Sequence, residues 1–229
     1  MTGGKTSRRR TRPFTMQDML EGYHRGRFLM ADNADDEILH WFQPLQRGVM
    51  PLNDRFHLPR RLRRTVLAGR YDVTSDRDFM RMLDLCAAQH PTRTETWINQ
   101  PLRKLYLALF DAGYAHSIEV WAGRELVGGL FGVHIGGAFF GETMVSRARD
   151  ASKIALVHLV ATLRRQGFTL LDTQYPTSHL AQFGCLIWDA SQYQDALSEA
   201  LQRDVVWCAD VRLDALMSEI QSLKVRDAA

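Results

Sequence analysis

The chain is poor in cysteine and has no long apolar run. Its 229 residues include three cysteines, Cys86, Cys185 and Cys208, which are widely separated and lack the spacing of metal ligands. We therefore expect buried free thiols and no zinc site. No segment approaches the roughly 18 consecutive apolar residues that a membrane span needs, and the N-terminal residues lack the apolar run of a signal peptide. These absences predict a cytoplasmic protein that does not enter a membrane.

The composition that is present is that of an ordinary globular protein, but its charge is unevenly distributed. Hydrophobic residues make up 45% of the chain and charged residues 24%, which suits one large domain or two small ones. Residues 1–70 hold 14 Lys or Arg against 7 Asp or Glu, whereas residues 71–229 hold 15 against 19. Because clustered Arg and Lys make phosphate contacts, this asymmetry favours a polyanionic partner.

Two basic segments account for the excess of positive charge. Residues 1–13 carry few apolar side chains and are interpreted as a disordered basic arm, either solvated or in contact with RNA. In the stretch 55–66, the residues Leu58, Leu62 and Val66 share one helical face. The stretch contains no carboxylate, so contact with an RNA backbone is favoured over a merely solvated face. The arginines assigned to this contact are Arg60, Arg61, Arg63 and Arg64.

The spacing of apolar residues predicts an α/β protein with a mixed sheet. We divide it into a smaller N-terminal α/β subdomain, residues 14–70, and a larger domain, residues 71–229. The expected helices begin near Thr15, near Leu58, after a capping pair of Ser75 and Asp78, near Pro101 and near residue 151, and the last of these ends at Gly167. The expected strands are 38–42, 48–52, 71–75, 115–121, 125–135, 138–145 and 168–173, and two C-terminal helices flank a possible strand at 204–213.

Polar side chains at the end of a buried strand indicate a candidate site. Asp172 and Gln174 lie two apart at the end of strand 168–173, so their side chains are expected to project from the same face. A strand fixes such groups while the following loop admits a ligand. From the spacing alone, the simpler interpretation is that Asp172 caps the following turn and that Gln174 solvates it.

Ten segments, in consistent order over about residues 20–195, resemble one enzyme family. They are YHRGRF at 23–28, WFQPLQRGVM at 41–50, HLPRRLRR at 57–64, TWI at 96–98, GYAHSIEVW at 113–121, LVGGLFG at 126–132, GETMVS at 141–146, ASKIAL at 151–156, GFTLLDTQ at 167–174 and HLAQFG at 179–184. This series resembles the leucyl/phenylalanyl-tRNA–protein transferases. Those enzymes move Leu, Phe or Met from aminoacyl-tRNA to the N-terminal α-amine of proteins beginning with Arg or Lys, which marks the proteins for degradation.

The sequence departs from the family pattern at several positions. The run Phe28, Leu29, Met30 stands where the family usually has Phe-Pro-Trp, and Phe42 stands where it has a second tryptophan. GETMVS replaces GESMFS, and Trp188 and Asp189 replace a proline and an arginine. The reaction is therefore better determined by the resemblance than the donor or acceptor preference.

The resemblance implies a reaction without ATP, metal, cofactor or covalent enzyme intermediate, because the aminoacyl ester is already activated. It also implies that Asp172 and Gln174 are the catalytic pair. Asp172 would orient Gln174, whose carbonyl oxygen would accept a hydrogen bond from the attacking amine. Glu142 would meet the cationic acceptor terminus; the alternative is a pair with a nearby arginine.

The resemblance further implies the residues that bind the two substrates. An apolar patch of Phe131, Phe140 and Met144 would take the donor side chain, unless these residues are simply core. Ser146 and Ser152, at the start of the helix near 151, would meet the 3′ end of tRNA. Trp41, Trp97 and Trp121 would stack on its terminal adenine, although each alone is more typical of a core residue. The histidines His116, His134, His158 and His179 show no metal-like spacing.

Two other functions compete with this interpretation. The family is expected to share the N-acetyltransferase-like fold, so residues 71–229 would be an acyltransferase-like catalytic domain. The strongest rival is therefore an N-acetyltransferase that uses acyl-CoA. The segment expected to face the CoA pyrophosphate, RARDAS at 147–152, contains no glycine, which argues against CoA. A non-catalytic RNA-binding module would leave the segments around Glu142 and Asp172 unexplained. A monomer is expected.

Overall fold

The computed structural model describes residues 3–6, 12–88, 96–210, 213–223 and 225–226. Its helices are α1 Met16–His24, α2 Arg60–Leu67, α3 Phe79–Ala87, α4 Gln100–Asp111, α5 Ala151–Gln166, α6 Ser178–Ala181, α7 Ala190–Leu201 and α8 Leu213–Ser222. Its strands are β1 Gly3–Thr6, β2 Phe28–Ala31, β3 Leu39–Pro44, β4 Gln46–Met50, β5 Leu58–Pro59, β6 Asp72–Ser75, β7 Ala115–Ala122, β8 Glu125–Ile135, β9 Ala138–Ser146, β10 Leu170–Gln174, β11 Leu186–Asp189 and β12 Val225–Arg226. None of the described helices is both long and apolar enough to cross a bilayer.

A seven-stranded sheet organises the molecule. Its strand order is β11-β4-β10-β9-β8-β7-β6, and two small sheets lie beside it, one with the order β1-β3-β2 and one pairing β12 with β5. The pairing is antiparallel throughout the large sheet except between β9 and β10, which run parallel. Parallel neighbours need a crossover, and α5 supplies it. The mixed α/β sheet expected from the sequence is confirmed.

Both faces of the sheet are covered by helices. One apolar cluster contains buried residues of α1, α3, α4 and α7, and a second contains those of α2, α5 and α8. Strand β8 contributes Phe131 and Val133 to the first cluster and Val127 and Leu130 to the second. A strand covered on both faces reads as a continuous apolar run, which explains the sequence LVGGLFGV.

The N-terminal segment differs from its prediction. Residues 1–13 were expected to be a disordered arm, but Gly3–Thr6 forms β1, which pairs antiparallel with β3 from Gly3 opposite Pro44 to Thr6 opposite Trp41. Strand pairing uses main-chain groups, so a segment without apolar side chains can still join a sheet edge. The rest of the predicted arm, residues 1–2 and 7–11, lies outside the described residues.

Other local differences have clear causes. Helix α3 is capped by Asp78, whose side chain accepts a hydrogen bond from the Arg81 N–H, while Ser75 ends strand β6, so the predicted capping pair is wrong. The possible strand at 204–213 is absent from its described part, 204–210. Strands β2 and β11 were not predicted.

Strand β4 connects the two predicted parts of the chain. It belongs to the predicted subdomain 14–70, yet it lies in the large sheet between β10 and β11, and pairs antiparallel with both. The two parts therefore share one sheet. The boundary near residue 70 stays a prediction.

Candidate active site

A cleft of about 310 Å³ opens at the end of β10. Strands β8, β9 and β10, helix α5 and the loop into α6 supply most of its wall. Most lining residues are apolar, and the polar ones include Glu142 and Gln174. The lining residues are Met30, Trp97, Leu130, Phe131, Gly141, Glu142, Thr143, Met144, Leu156, Leu159, Leu171, Thr173, Gln174, Tyr175, Thr177, His179 and Leu180.

Gln174 has an unusual backbone conformation at the C-terminal end of β10. Its φ is 61°, a left-handed value that costs energy in a residue other than glycine. The register of β10 against β4 shifts between Asp172 and Gln174, so the alternation that the spacing predicted is broken, and only Gln174 lines the cleft. Its side-chain Nε2 is buried and has no hydrogen-bond partner within the described part of the chain. An unpaired buried amide is costly, which marks this group for a ligand.

Asp172 lies behind the cleft in a saturated ion-pair cluster. Its Oδ1 and Oδ2 accept hydrogen bonds from Arg47 Nε at 2.9 Å and Nη2 at 2.6 Å, respectively. Tyr193 donates its hydroxyl to Oδ2 at 2.8 Å, and the Gln174 backbone N–H donates to Oδ1 at 2.7 Å. Asp172 is 0% exposed and Arg47 2%. The carboxylate therefore orients Gln174 through its main chain, and it does not reach the cleft.

Arg47 is fixed from a third direction by the turn after α1. Its Nη1 donates to the Gly26 carbonyl oxygen at 2.8 Å. Gly26 has a φ of 69°, and a Cβ there would lie 2.8 Å from Cε1 of Tyr193, so this position requires glycine. Burial lowers the pKa of Arg47, but the charge and the hydrogen bonds of Asp172, with smaller contributions from Tyr193 and Glu142, together outweigh burial and leave the pKa raised. Burial and the Asp172 charge raise the pKa of Tyr193, which keeps its hydroxyl a donor.

Glu142 is the carboxyl group among the residues that line the cleft. Its two oxygens accept hydrogen bonds from Tyr23 and Tyr106, both at 2.7 Å. Burial raises the pKa of Glu142 to about 7, and the two tyrosine hydrogen bonds oppose that rise. The Gln174 amide lies close enough to lower this pKa slightly, although it makes no hydrogen bond of ordinary geometry. Glu142 is therefore a carboxyl group that changes charge near neutral pH.

The other predicted donor-site residues divide into cleft and core. Trp97, Phe131 and Met144 line the cleft with Glu142 and Gln174. Phe140 is 0% exposed and packs on Tyr23, with ring centroids 4.8 Å apart, so it supports the Glu142 site from beneath. It does not line the cleft, because the register of β9 against β8 shifts at Glu142, between the pairs Phe131–Thr143 and Gly132–Gly141, and breaks the strand alternation.

Trp41 and Trp121 lie away from the cleft lining. Trp41 is in β3 and packs edge-on against Phe14, with ring centroids 5.6 Å apart. Trp121 is in β7, donates its indole N–H to Thr74 Oγ1 at 2.8 Å, and lies under the guanidinium of Arg77. Both occupy structural positions.

Ser146 and Ser152 meet each other at the start of α5. The Ser152 N–H donates to Ser146 Oγ at 3.3 Å, and Ser146 Oγ donates to the Ala148 carbonyl at 2.8 Å. Neither residue lines the cleft. Asp150, in the left-handed region at a φ of 63°, precedes the helix and makes no side-chain cap.

The predicted arginine patch lies on α2. Arg60, Arg61 and Arg64 are exposed, whereas Arg63 is half-buried and donates to the Gln221 carbonyl oxygen of α8 at 3.2 Å. The sequence suggested that nothing neutralises the patch, but Asp150 Oδ2 lies 3.7 Å from Arg61 Nη2. This partner comes from a distant part of the chain, which the local sequence does not reveal.

Four residues of the site were missed by sequence reasoning. Arg47, Tyr193, Tyr23 and Tyr106 hold the two carboxyl groups. Arg47 gave a weak signal, since it is a charge inside the apolar strand QRGVM. The tyrosines gave none, because a tyrosine on an apolar helix face is typical of any core. Within the described residues, the one group of three candidate metal ligands lies outside the cleft, at Asp32, Asp36 and His40.

Comparison with known proteins identifies the family. The family model described as leucyl/phenylalanyl-tRNA protein transferase matches residues 49–198. Curated relatives named leucyl/phenylalanyl-tRNA–protein transferase include one from Caulobacter vibrioides, 54% identical over 82% of this chain and 86% of the relative. Relatives of the same name from Maricaulis maris, 50% identical over 83% and 88%, and Gluconobacter oxydans, 51% identical over 90% and 92%, also match.

A solved structure gives a much weaker likeness. L-PGS from Bacillus licheniformis aligns over 90% of this chain and 69% of that one, with a TM-score of 0.40 and 12% identity, too little to carry an argument. The sequence relatives and the family model are sufficient. The chain belongs to the leucyl/phenylalanyl-tRNA–protein transferase family and is an aminoacyl-transferring enzyme.

Proposed function

We propose that this protein moves Leu, Phe or Met from aminoacyl-tRNA to the N-terminal α-amine of proteins that begin with Arg or Lys. The observation that carries the proposal is the cleft itself. Its apolar wall, with Phe131 and Met144, suits an uncharged donor side chain, and it ends at an unpaired amide and a carboxyl group. Such a combination brings an apolar donor and a cationic acceptor to one place.

The reaction needs orientation and the transfer of one proton. The neutral α-amine, with a reference pKa of about 7.7–8.0, attacks the ester carbonyl carbon of the aminoacyl-tRNA. The C–N bond forms, the bond from that carbon to the ribose oxygen breaks, and the amine proton passes to that oxygen. Holding two reactants in this geometry supplies on the order of 7–11 kcal/mol in favourable cases.

Gln174 is the proposed catalytic residue and Asp172 its positioning residue. The Gln174 side chain lines the cleft, and its Nε2 has no hydrogen-bond partner among the described residues. Its carbonyl oxygen would accept a hydrogen bond from the attacking amine. Asp172, bound to Arg47 and Tyr193, holds the Gln174 N–H and so the left-handed turn that presents the amide. The role of Asp172 is thus indirect.

Glu142 is proposed to bind the cationic end of the acceptor. Burial raises its pKa to about 7, and a neighbouring cation would favour the ionised form. Acceptor binding is therefore coupled to loss of the Glu142 proton. The alternative role, a pair with a nearby arginine, finds no support among the described residues, because both oxygens are bound by tyrosines.

The tRNA is proposed to contact the exposed arginines of α2 and the start of α5. Arg60, Arg61 and Arg64 offer a positive surface, and Ser146 and Ser152 lie at the helix N-terminus. Trp97 is the tryptophan placed to meet the terminal adenine, since it lines the cleft. Trp41 and Trp121 are not assigned this role, because both pack against other residues away from the cleft.

An acyl-CoA enzyme is less well supported. The segment 147–152, which would face a CoA pyrophosphate, has no glycine to let backbone N–H groups approach it closely. The relationship to the N-acetyltransferase-like fold is part of the same proposal, as are the monomeric state and the cytoplasmic location. Thermal shift with CoA, with tRNA and with a stable aminoacyl-adenosine analogue separates the candidates, because only the true ligand class raises the melting temperature.

The catalytic assignment is tested by transfer of Leu from Leu-tRNA to an Arg-ended peptide. Gln174→Ala is expected to lower the rate by at least about tenfold without weakening tRNA binding. Gln202→Ala, at an exposed position at the end of α7, is the matched control and should transfer at the wild-type rate. Wild-type transfer by Gln174→Ala would remove the assignment.

The RNA assignment is tested by the salt dependence of tRNA binding. Arg60→Gln and Arg64→Gln are each expected to weaken binding and to reduce the slope of log K against log salt by about 0.7–0.9. Arg203→Gln, an exposed arginine beside the β8–β9 turn, should leave the slope unchanged. Equal effects of all three changes would mean that α2 is not the contact.

A further inference from the structure

Gly141, in strand β9, is a glycine that the fold does not require. Its φ lies outside the left-handed region. Among the described residues, and apart from its chain neighbours, a Cβ at Gly141 would meet only the Asp172 carbonyl oxygen, at 3.4 Å, which is an ordinary van der Waals contact. Every other glycine from Gly22 to Gly184 either has a left-handed φ or would place a Cβ less than 3.0 Å from another atom. The protein itself therefore leaves room for a side chain at residue 141.

Gly132 pairs with Gly141 across the β8–β9 ladder and shows the contrast. A Cβ at Gly132 would overlap the Phe140 carbonyl oxygen, so the close approach of the two strands requires glycine there. Glycine inside a strand lowers stability, because it loses more backbone freedom on folding than any other residue. Gly141 therefore weakens β9 without the structural reason that applies to Gly132.

Gly141 lies in the cleft wall between the two polar groups of the site. It directly precedes Glu142, and both residues line the cleft. The parallel β9–β10 ladder places Gly141 beside Thr173, about 4.8 Å away across the sheet, and Thr173 directly precedes Gln174. The backbone of Gly141 is thus the surface between the proposed acceptor-binding carboxyl group and the proposed catalytic amide.

The Gln174 side chain provides an independent sign of a ligand at this place. The residue is 7% exposed, and its Nε2 is buried without a hydrogen-bond partner in the described ranges. Buried amides normally have a partner, and a glycine inside a strand is typical of a site where a ligand approaches the backbone closely. An unpaired amide and an unfilled Cβ position therefore lie side by side in one cleft.

We propose that Gly141 contacts the donor substrate directly, and that the acyl carbonyl carbon of the aminoacyl-tRNA packs against its Cα in the space that a side chain would fill. This inference rests on the proposed function. In that reaction the acyl carbon bonds to the acceptor nitrogen before its bond to the ribose oxygen breaks, so its surroundings must admit four substituents. A methyl group at residue 141 would move the acyl carbon away from both Gln174 and the acceptor at Glu142.

Gly141→Ala should give a more stable protein and a slower enzyme. Alanine fits at this position and loses less backbone freedom on folding, so the melting temperature should rise by about 1–4 °C. Transfer of Leu from Leu-tRNA to an Arg-ended peptide should fall by about 10–100-fold, because a misplacement of about 1 Å has an effect of that size on a positioned reaction. A wild-type rate, or a lower melting temperature, overturns the proposal.

Gly132→Ala is the matched control. Its methyl group overlaps the Phe140 carbonyl oxygen, so the melting temperature should fall by about 2 °C or more. A purely structural role of Gly141 would make its alanine variant behave in the same way. A rise in the melting temperature of both variants would refute the contrast between the two glycines.

The choice of donor locates the contact on the acyl carbon. This carbon is common to all donors, so Gly141→Ala should slow transfer of Leu and of Phe by the same factor, and uncharged tRNA should bind with wild-type affinity. A loss confined to Phe would place the donor side chain at Gly141, and weaker binding of uncharged tRNA would place a nucleotide there. Either result overturns the assignment.

A binding measurement separates this inference from the proposed function. A stable aminoacyl-adenosine analogue, in which an amide replaces the ester, should bind Gly141→Ala at least about tenfold more weakly than it binds the wild type. A wild-type protein that transfers no amino acid from tRNA would overturn the proposed function. Equal affinity of the analogue for the two proteins, measured by titration calorimetry, would instead overturn the role of Gly141.

Discussion

Two buried carboxyl groups lie near the end of β10, Asp172 behind the cleft and Glu142 in its wall. They are stabilised in different ways. Asp172 is neutralised by the guanidinium of Arg47 and also accepts the Tyr193 hydroxyl. Glu142 accepts two tyrosine hydroxyls and has no cation bound to it within the described chain. An opposite charge therefore compensates the charge of Asp172, whereas only the dipoles of two hydroxyl groups stabilise a charge on Glu142.

The difference separates a fixed element from a responsive one. A buried ion pair resists any change of protonation, so Asp172 and Arg47 hold the backbone of Gln174 over a wide pH range. A buried carboxyl group without a cation keeps a raised pKa, which burial brings to about 7 for Glu142. A cationic substrate can then supply the missing charge. The comparison assigns rigidity to one group and substrate response to the other.

The largest expected effect comes from breaking the ion pair. Arg47→Met leaves the Asp172 carboxylate buried and uncompensated, so the free energy of unfolding should fall by about 3–5 kcal/mol. Urea unfolding measures this change. Transfer activity should fall as well, because the Gln174 turn loses its support.

The exposed pair Arg103–Asp84 is the control for that change. Its N–O distance is also 2.6 Å, but the Asp84 side chain is 50% exposed. Arg103→Met should therefore cost less than about 1 kcal/mol. A similar loss from both variants would show that the buried pair has no special role in the fold.

An intermediate effect is expected from Glu142→Gln. The pKa of Glu142 in the fold, about 7, lies above its ordinary value of 4.5, so the stability from its protonated form is complete below about pH 4.5 and is lost as the pH rises through about 7. Glutamine carries no charge, so at about pH 8 the variant should be more stable than the wild type by up to about 3 kcal/mol. Near pH 5 the difference should be small. Identical pH dependence of the two melting temperatures would contradict the raised pKa.

The smallest effect distinguishes the tyrosines. Tyr106→Phe removes a hydrogen bond that lowers the Glu142 pKa, so that pKa should rise further, and the pH below which the acceptor KM increases should move upward. Tyr193→Phe removes a comparable hydrogen bond to Asp172, whose charge Arg47 still balances. Each should cost about 1–3 kcal/mol of stability, but only Tyr106→Phe should shift the pH profile of transfer. Equal shifts of the pH profile in the two variants would contradict the different roles assigned to the two carboxyl groups.

Local pattern determined most of the fold that was predicted. The helix that begins near Thr15, the three antiparallel strands β7, β8 and β9, and α5 with its Gly167 end are all present. Each depends on neighbours in sequence: a cap bonds three residues away, and a hairpin closes on itself. The place of β4 in the sheet could not be predicted in this way, because its partners β10 and β11 lie more than a hundred residues further along the chain.

The site was only partly accessible from the sequence for the same reason. Resemblance directed attention to Glu142, Met144 and Gln174, and these line the cleft, although their roles stay predictions. Spacing failed at Asp172, because the left-handed turn at Gln174 breaks the strand alternation. Arg47 and the three tyrosines lie on four separate elements. No local sequence pattern therefore predicts that they converge on two carboxyl groups.

The position of β4 between β10 and β11 has a consequence for how the chain folds during synthesis. Arg47 and Asp172 are 125 residues apart, and β4 obtains neither sheet neighbour until β10 and β11 have left the ribosome. Contacts of such long range form slowly, and an unpaired apolar strand invites association with other chains. In a nascent chain, β4 with its Arg47 therefore stays without sheet neighbours, and the site stays incomplete, until β10 and β11 have been synthesised.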